Sequence, residues 1–352
     1  MKDVIIIGAG LSGLTTAYYL KQKGIDVLLL EGRGRTGGRI YTLSAPPNGT
    51  PVEMGATWFA DKHSYLMGLV NNFNLPLFPQ YQKGLCVYET SSHEPPQLFT
   101  MPGGEPPSHR ITGGSAALIE RLVKEVGEAN ILLNTQVSGL CEKEGYIEIT
   151  DNANNTFSAK QVAVTIPPNL LTQEIEFTPG LPALLLSVMQ QTHTWMSDAI
   201  KFALLYKRPF WRDYGFSGTI LSQAGMATEV YDHSNAEDTL FALKGFLTPD
   251  AALFTKEQRE KMVVAQIKKL LGEDTCAYLS YAEKLWANEP LTHAAYRQVV
   301  FPHQNSGHPL YEQPLMNGKL YISGSETSPH HGGYMDGAVY SGWRAATQIL
   351  NK

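Results

Sequence analysis

The sequence predicts an α/β fold in two units. One is built on a parallel sheet; the other is a discontinuous α+β unit, an antiparallel sheet with helices. Three observations carry this. An apolar strand at the start runs into Gly8-Ala9-Gly10-Leu11-Ser12-Gly13 and then a helix. Strand, turn and helix recur near the end, around Leu320 to Ile322, Gly324-Ser325-Glu326 and Met335. Between them, short alternating stretches from Ile200 to Lys244 read as an antiparallel sheet.

Val4 to Ile7 is a continuous apolar run, which suits a parallel strand buried on both faces. Gly8 makes the tight turn, Gly10 lets backbone approach a pyrophosphate, and Gly13 lets the helix lie close to the sheet. The helix N-terminus offers free N–H groups to phosphate. A second strand, Ile25 to Leu30, ends at Glu31, the acid expected about 20 positions on to hold a ribose hydroxyl. This is a Rossmann-like dinucleotide site, and the glycines alone do not separate NAD from FAD. Just past the acid, Arg33 and the run Arg35-Thr36-Gly37-Gly38-Arg39 combine fixed cations with close-approach backbone. Arg33, Gly38 and Arg39 are therefore candidate cofactor contacts.

A Pro/Gly/Asn turn leads to Val52-Glu53-Met54-Gly55-Ala56-Thr57-Trp58, where Gly55 and Ala56 allow a flat ligand to pass close to backbone and Thr57 follows. A helix is expected over Ser64 to Phe73, a strand over Leu85 to Thr90, and a Pro/Gly-rich crossover loop over Glu94 to Pro107. Gly113-Gly114-Ser115 opens an amphipathic helix to Val126. Strands are expected at 131–133, 146–150 and 162–166. Strands at 200–206, 216–222, 227–231 and 239–244 then form the antiparallel sheet. The box Thr255-Lys256-Glu257-Gln258 starts a helix that stops at Gly272. These readings divide the chain into a cofactor domain of 1–60, 108–185 and 289–352 and a substrate domain of 61–107 and 186–288.

The 352 residues, 43% hydrophobic and 17% charged, have an ordinary globular composition. A net charge of -5 without a basic block argues against nucleic acid. Three scattered cysteines show no metal or CxxC spacing and suit a reducing compartment. No metal site is expected. A first strand starting at residue 2 and the lack of a long apolar run predict no signal peptide or membrane anchor, hence a cytoplasmic protein.

The glycine-acid pair, the Arg35–Arg39 segment and the run Gly324-Ser325-Glu326-Thr327 to His330-His331-Gly332-Gly333-Tyr334-Met335 together resemble the flavin-containing amine oxidase family, in its monoamine oxidase-like branch. That resemblance implies FAD bound by Gly8, Gly10, Gly13, Glu31, Arg33, Gly38, Arg39, Gly55, Ala56, Thr57, Val137, Trp286, Gly324, Ser325, Glu326 and Met335. It implies an aromatic cage of Tyr296 and Tyr334 in front of the flavin. Ala295 stands where some members carry a flavin-bonding cysteine, which implies non-covalent FAD. Lys201, heading the apolar row Ala203 and Leu205, resembles the family lysine that reaches the reactive flavin nitrogen through a water. The implied reaction passes hydride from an amine's α-carbon to flavin, giving imine and then aldehyde, ammonia and hydrogen peroxide. Its partners are a small amine and oxygen. An amino-acid oxidase, with Arg297 beside the cage for a carboxylate, and a non-catalytic FAD-binding redox protein are the alternatives.

The chain is shorter than typical members, mostly between Phe59 and Arg110 by this reading. His193, His233, His303 and His308 are expected at the surface, and His330 and His331 are candidate substrate contacts. Glu229, Asp232, Glu237 and Asp238 read as a solvated acidic loop.

Overall fold

A computed structural model describes residues 1–101 and 106–352. Part of the loop expected over 94–107 thus lies outside the described residues. Five consecutive strands of the first, eight-stranded sheet run parallel, in the order Ile131–Leu132, Val27–Leu30, Lys2–Ile7, Thr156–Val164 and Leu320–Ile322. The first strand is apolar on both faces because both are covered. Val4 and Ile6 enter a core with the helices Leu11–Lys21, Ser64–Asn72, Ala116–Val126 and Met335–Leu350. Ile5 and Ile7 enter a second core with Ile147, Ile149, Leu171 and Tyr311. Gly13 is obligatory in the first helix: a Cβ there would stand 2.0 Å from the Gly8 carbonyl oxygen.

Thr156–Val164 changes partner along its length. Its first half closes an antiparallel meander with Val137–Lys143 and Tyr146–Asp151, and its second half pairs with Leu320–Ile322. Val137–Lys143 is a strand that the sequence pattern does not announce.

The second sheet has seven strands, in the order Ser280–Leu285, Ile200–Tyr206, Phe241–Leu247, Ala227–Asp232, Phe216–Ser222, Leu85–Glu89 and Gln97–Phe99. One face presents Ile200, Phe202, Leu204 and Leu243 to Val263 and Ile267 of the helix Lys256–Leu271. That helix starts at the expected capping box, with Thr255 and Gln258 bonding reciprocally. The opposite face turns Ala203, Leu205 and Ala242 toward Val52 and Met54. The small hairpin of Thr42–Ala45 and Thr50–Glu53, a two-stranded sheet of its own, thus packs on the second sheet.

Helix Ser64–Asn72, expected with the substrate unit, packs instead with the first sheet. Its Leu66, Leu69 and Val70 are buried in the core of Leu14 and Val339. Asp336, in the first turn of the last helix, accepts from the Leu66 amide at 2.8 Å and anchors this helix's start. No helix among the described residues is long and apolar enough to cross a membrane.

Candidate active site and its relatives

A cavity of about 490 Å³ runs between the sheets. One end is the glycine turn. Gly8, Gly10, Glu31, Arg33, Gly38 and Arg39 line it, and both oxygens of buried Glu31 are occupied locally. Its Oε2 accepts from the Ala9 amide at 2.8 Å and its Oε1 from the Arg33 amide at 2.9 Å, so the carboxylate is fixed at the end of its strand. Arg33 is held by Thr292 at 2.6 Å.

Midway, Gly55, Ala56, Thr57, Trp286, Ser325, Tyr334 and Met335 form the wall. A Cβ on Gly55 would lie 2.1 Å from the Arg39 carbonyl oxygen, so backbone meets backbone at this point. The Trp286 indole N–H donates to the Met54 carbonyl at 2.7 Å and pins the same turn. Met335 opens the 16-residue helix Met335–Leu350, whose N-terminus faces the cavity.

Four cofactor candidates stand behind the wall. Gly13 and Gly324 shape the turns. Val137 lines a small adjoining cavity of about 50 Å³ with Glu31 and Arg33. Glu326 is fully buried and is taken up by Arg39, whose Nη2 donates to its Oε2 at 2.8 Å, and by the Ser325 hydroxyl at 2.9 Å. Arg39 and these hydroxyl and amide donors hold its carboxyl below the usual range despite burial. Its office is to aim Arg39.

Tyr296 also stands outside the lining. Its hydroxyl accepts from the Thr194 amide at 2.7 Å, and its ring lies against His193. The aromatic ring that faces Tyr334 in the cavity is Trp195, with centroids 5.7 Å apart. Trp195 is backed by His303 at 4.1 Å. Its backbone is tied at both ends: its amide donates to Glu326 at 3.2 Å and its carbonyl accepts from Arg39 at 3.0 Å. Of the two predicted cage tyrosines, Tyr334 lines the cavity and Tyr296 does not. The irregular segment after Trp286 places Tyr296 one layer back.

Lys201 is buried, lines the cavity and donates to the Gly55 carbonyl. Its ammonium lies 5.0 Å from the centre of the Phe246 ring. Burial pulls its pKa down to about 8, opposed by the charge of Glu53. Strand register explains the neighbours: Lys201 pairs with Phe246 and Phe246 with Glu229, while Ala203 pairs with Lys244 and Lys244 with Tyr231. Glu229, Tyr231, Phe246 and Thr219 form the far wall, with Trp58, Gln80, Tyr81 and Met196. The Tyr231 hydroxyl donates to Glu229 Oε2 at 2.9 Å.

Several expectations change here. His233 is completely buried rather than at the surface; its Nε2 accepts from the Glu53 amide at 3.1 Å. His193 and His303 stack behind Tyr296 and Trp195, whereas His308 caps a short helical turn. Asp232 is buried, not solvated, and takes Arg212 and the Trp211 indole N–H at 2.7 and 2.8 Å. His330 and His331 do not line the cavity; His331 pairs with Asp336 at 2.7 Å. Lys244 and Trp195 are functional candidates that sequence reasoning misses. The signal for Lys244 is its two-residue periodicity with Phe246, hidden when the strand is ended at the lysine.

The Rossmann-like sheet, its glycine turn and a cavity leading to a buried lysine define a dinucleotide-binding oxidoreductase scaffold. Residues 11–99 and 83–350 match the profile of the family described as "Flavin containing amine oxidoreductase", and the chain belongs to that family. The two matched stretches overlap at 83–99, inside the 59–110 region read as shortened. Among its relatives, the "Probable flavin-containing monoamine oxidase A" of Dictyostelium discoideum is 24% identical over 99% of this chain and 98% of that protein. The putrescine oxidase of Kocuria rosea is 25% identical over 99% and 95%. The first alignment runs over 454 positions against 352 residues here, so that relative carries insertions this chain lacks. A solved putrescine oxidase bound to putrescine superposes with a TM-score of 0.87 at 23% identity, covering 100% and 99% of the two chains. The cyclohexylamine oxidase of Brevibacterium oxydans IH-35A gives 0.86 at 20% identity, covering 99% of each.

Proposed function

We propose that this flavoprotein is an FAD-dependent oxidase of small amines, with oxygen as acceptor and FAD held without a covalent bond. The observation that carries the reading is the buried Lys201 ammonium in the wall of a cavity that starts at the Glu31 dinucleotide site. The residues fit the cofactor. The glycine turn leaves room that a Cβ would fill, Glu31 suits the ribose, and Arg39 with the helix N-terminus at Met335 suits anionic groups. Cys86, Cys141 and Cys276 are outside the cavity lining, and Ala295 precedes Tyr296, which supports non-covalent binding.

When bound, FAD supplies hydride acceptance and delivery to oxygen; the protein supplies position and electrostatics. Tyr334 and Trp195 bracket the approach of the amine and exclude water. The Lys201 ammonium, donating to the Gly55 carbonyl, places a fixed positive charge where negative charge develops. We assign Tyr296 a supporting place, holding the Thr194–Trp195 backbone through its hydroxyl. We further propose that the division into cofactor and substrate units holds as read, with helix Ser64–Asn72 moved to the cofactor side.

One feature favours a narrower substrate class. Beyond Lys201, Glu229 is the carboxylate lining the cavity among the described residues, and no arginine lines that part. An amino acid's carboxylate finds no partner there, whereas a second ammonium does. We therefore favour a diamine, the class of molecule to which the putrescine bound by the solved relative belongs. A peroxide-coupled comparison of diamines, monoamines and amino acids tests both points. Turnover of amino acids alone would overturn them, and no turnover at all would favour a redox protein without catalysis.

A further inference from the structure

Beneath the cavity lies a second, completely buried lysine. Lys244 Nζ donates to the Thr57 hydroxyl at 2.5 Å and sits 4.5 Å from the centre of the Trp58 ring. The Thr57 hydroxyl in turn donates to the Gly55 carbonyl at 3.2 Å, the same oxygen that receives Lys201. The chain Lys244–Thr57–Gly55–Lys201 thus joins two amines on adjacent strands.

Few charges are available to balance them. From the strand Thr50–Glu53 comes Glu53, buried and held by the Ser115 amide and the Thr42 hydroxyl. From His109–Ile111 comes Arg110, bonded to the Ser234 carbonyl at 2.8 Å and lying 3.3 Å from His233 Nε2. His233 accepts the Glu53 amide and leaves its Nδ1 buried without a partner among the described residues. Nearby Asp232 is committed to Arg212, and Glu229, in the far wall of the cavity, is not among the charges that act on either lysine. Glu53 is therefore the carboxylate left to balance one guanidinium and two amines in a region withdrawn from water. Three buried cations around one anion are far costlier than two.

We propose that Lys201 and Lys244 hold a single proton between them in the resting protein, and that Lys244 takes up a second one when negative charge is placed in the cavity. Lys201 keeps the resting proton, since it meets a carbonyl, a pure acceptor, and Lys244 meets only a hydroxyl and an indole face. Burial and the neighbouring Lys201 charge both drive Lys244 toward the neutral amine. Lys244 is a positioning residue in this scheme, acting on the site through Thr57 and through charge.

The shared proton does not depend on the amine-oxidase reading, so it is tested first in flavin-free protein. In protein labelled with [13Cε]lysine, the two signals are assigned by their loss in Lys201→Met and Lys244→Met. At pH 7 one is expected at the ammonium position and the other at the amine position. Lys201→Met should raise the proton affinity of Lys244 about tenfold or more and turn its signal to ammonium. Lys201→Gln, which keeps a hydrogen-bond donor, should do the same and guards against a packing artefact. Two ammonium signals in the wild type, or a Lys244 unchanged by both substitutions, would overturn the proposal. The second proton is read in weakly buffered, anaerobic, FAD-loaded protein by an indicator dye during dithionite reduction. Wild type should take up about one proton more per flavin than Lys244→Met. Equal uptake would remove that part. Failure to bind FAD would sink the cofactor reading and leave the flavin-free result intact.

Discussion

The buried lysine at the cavity wall has consequences that can be measured one residue at a time. Lys201→Met keeps length and apolar bulk while removing charge. Re-oxidation of the bound flavin by oxygen should then slow far more than anaerobic reduction by substrate, and stopped-flow absorbance separates the two. In wild type the oxygen step should decline as pH rises through about 8, because the ammonium is lost there; the variant should lack that limb. The same depressed pKa predicts a stability effect. The unfolded chain binds this proton up to its ordinary value of 10.5, so wild-type stability rises with pH between about 8 and 10.5. The Lys201→Met/Lys244→Met double variant, which leaves neither ammonium to bury, should accordingly be more stable than wild type at pH 7, by roughly 1–3 kcal/mol, in denaturant unfolding of the flavin-free protein. Glu229→Gln should cost a diamine about 1.5–3 kcal/mol of binding and leave a monoamine nearly untouched, seen as a KM effect confined to the diamine.

At the scale of single elements, the strand Ile200–Tyr206 and the loop before it divide the work. The strand places Lys201, and the loop places Trp195 against Tyr334. Trp195→Ala and Tyr334→Ala should each lower amine turnover at least tenfold with FAD still bound, since a loosened near-attack geometry costs about that much. Tyr296→Phe, which loses only the bond to the Thr194 amide, should fall less. Equal losses in all three would return Tyr296 to the cage.

The elements that could be read from the sequence were those with clear punctuation. Ile200–Tyr206 sits between a loop and the Pro209 turn, and the 255–272 helix between a capping box and a glycine; both agree with the structure. Val137–Lys143 escaped because Ser138, Glu142 and Lys143 give it no apolar run, and its burial is supplied by neighbouring strands. Lys244 escaped for the opposite reason. A lysine in a strand reads as a solvent-facing end, and only the turn after Glu53, whose Thr57 and Trp58 cover it, puts it in the interior. Tyr296 and Trp195 were out of reach because sequence spacing carries no information on which of two nearby aromatics an irregular loop turns inward.

At the scale of the whole molecule, the cavity borrows its walls from both sheets, so its ligand should stabilise them together. FAD at a hundredfold excess over its dissociation constant should add about 2.7 kcal/mol to unfolding, visible as a concentration-dependent rise in Tm. Acid precipitation should release all the flavin as free FAD; colour remaining with the denatured protein would disprove non-covalent binding.

The first turn and the last helix are joined more closely than their places in the chain suggest. The Ser12 hydroxyl lies 2.9 Å from that of Ser323 and 3.0 Å from that of Ser341, and the Gly324 amide donates to it at 3.2 Å. The sheet strand Lys2–Ile7 likewise waits for Leu320–Ile322 to complete the layer beside Thr156–Val164. During synthesis, therefore, the nucleotide cradle made first has no floor until nearly every other residue has left the ribosome. Cofactor capture becomes a closing event in the birth of the protein, and a nascent chain arrested before Met335 should emerge colourless.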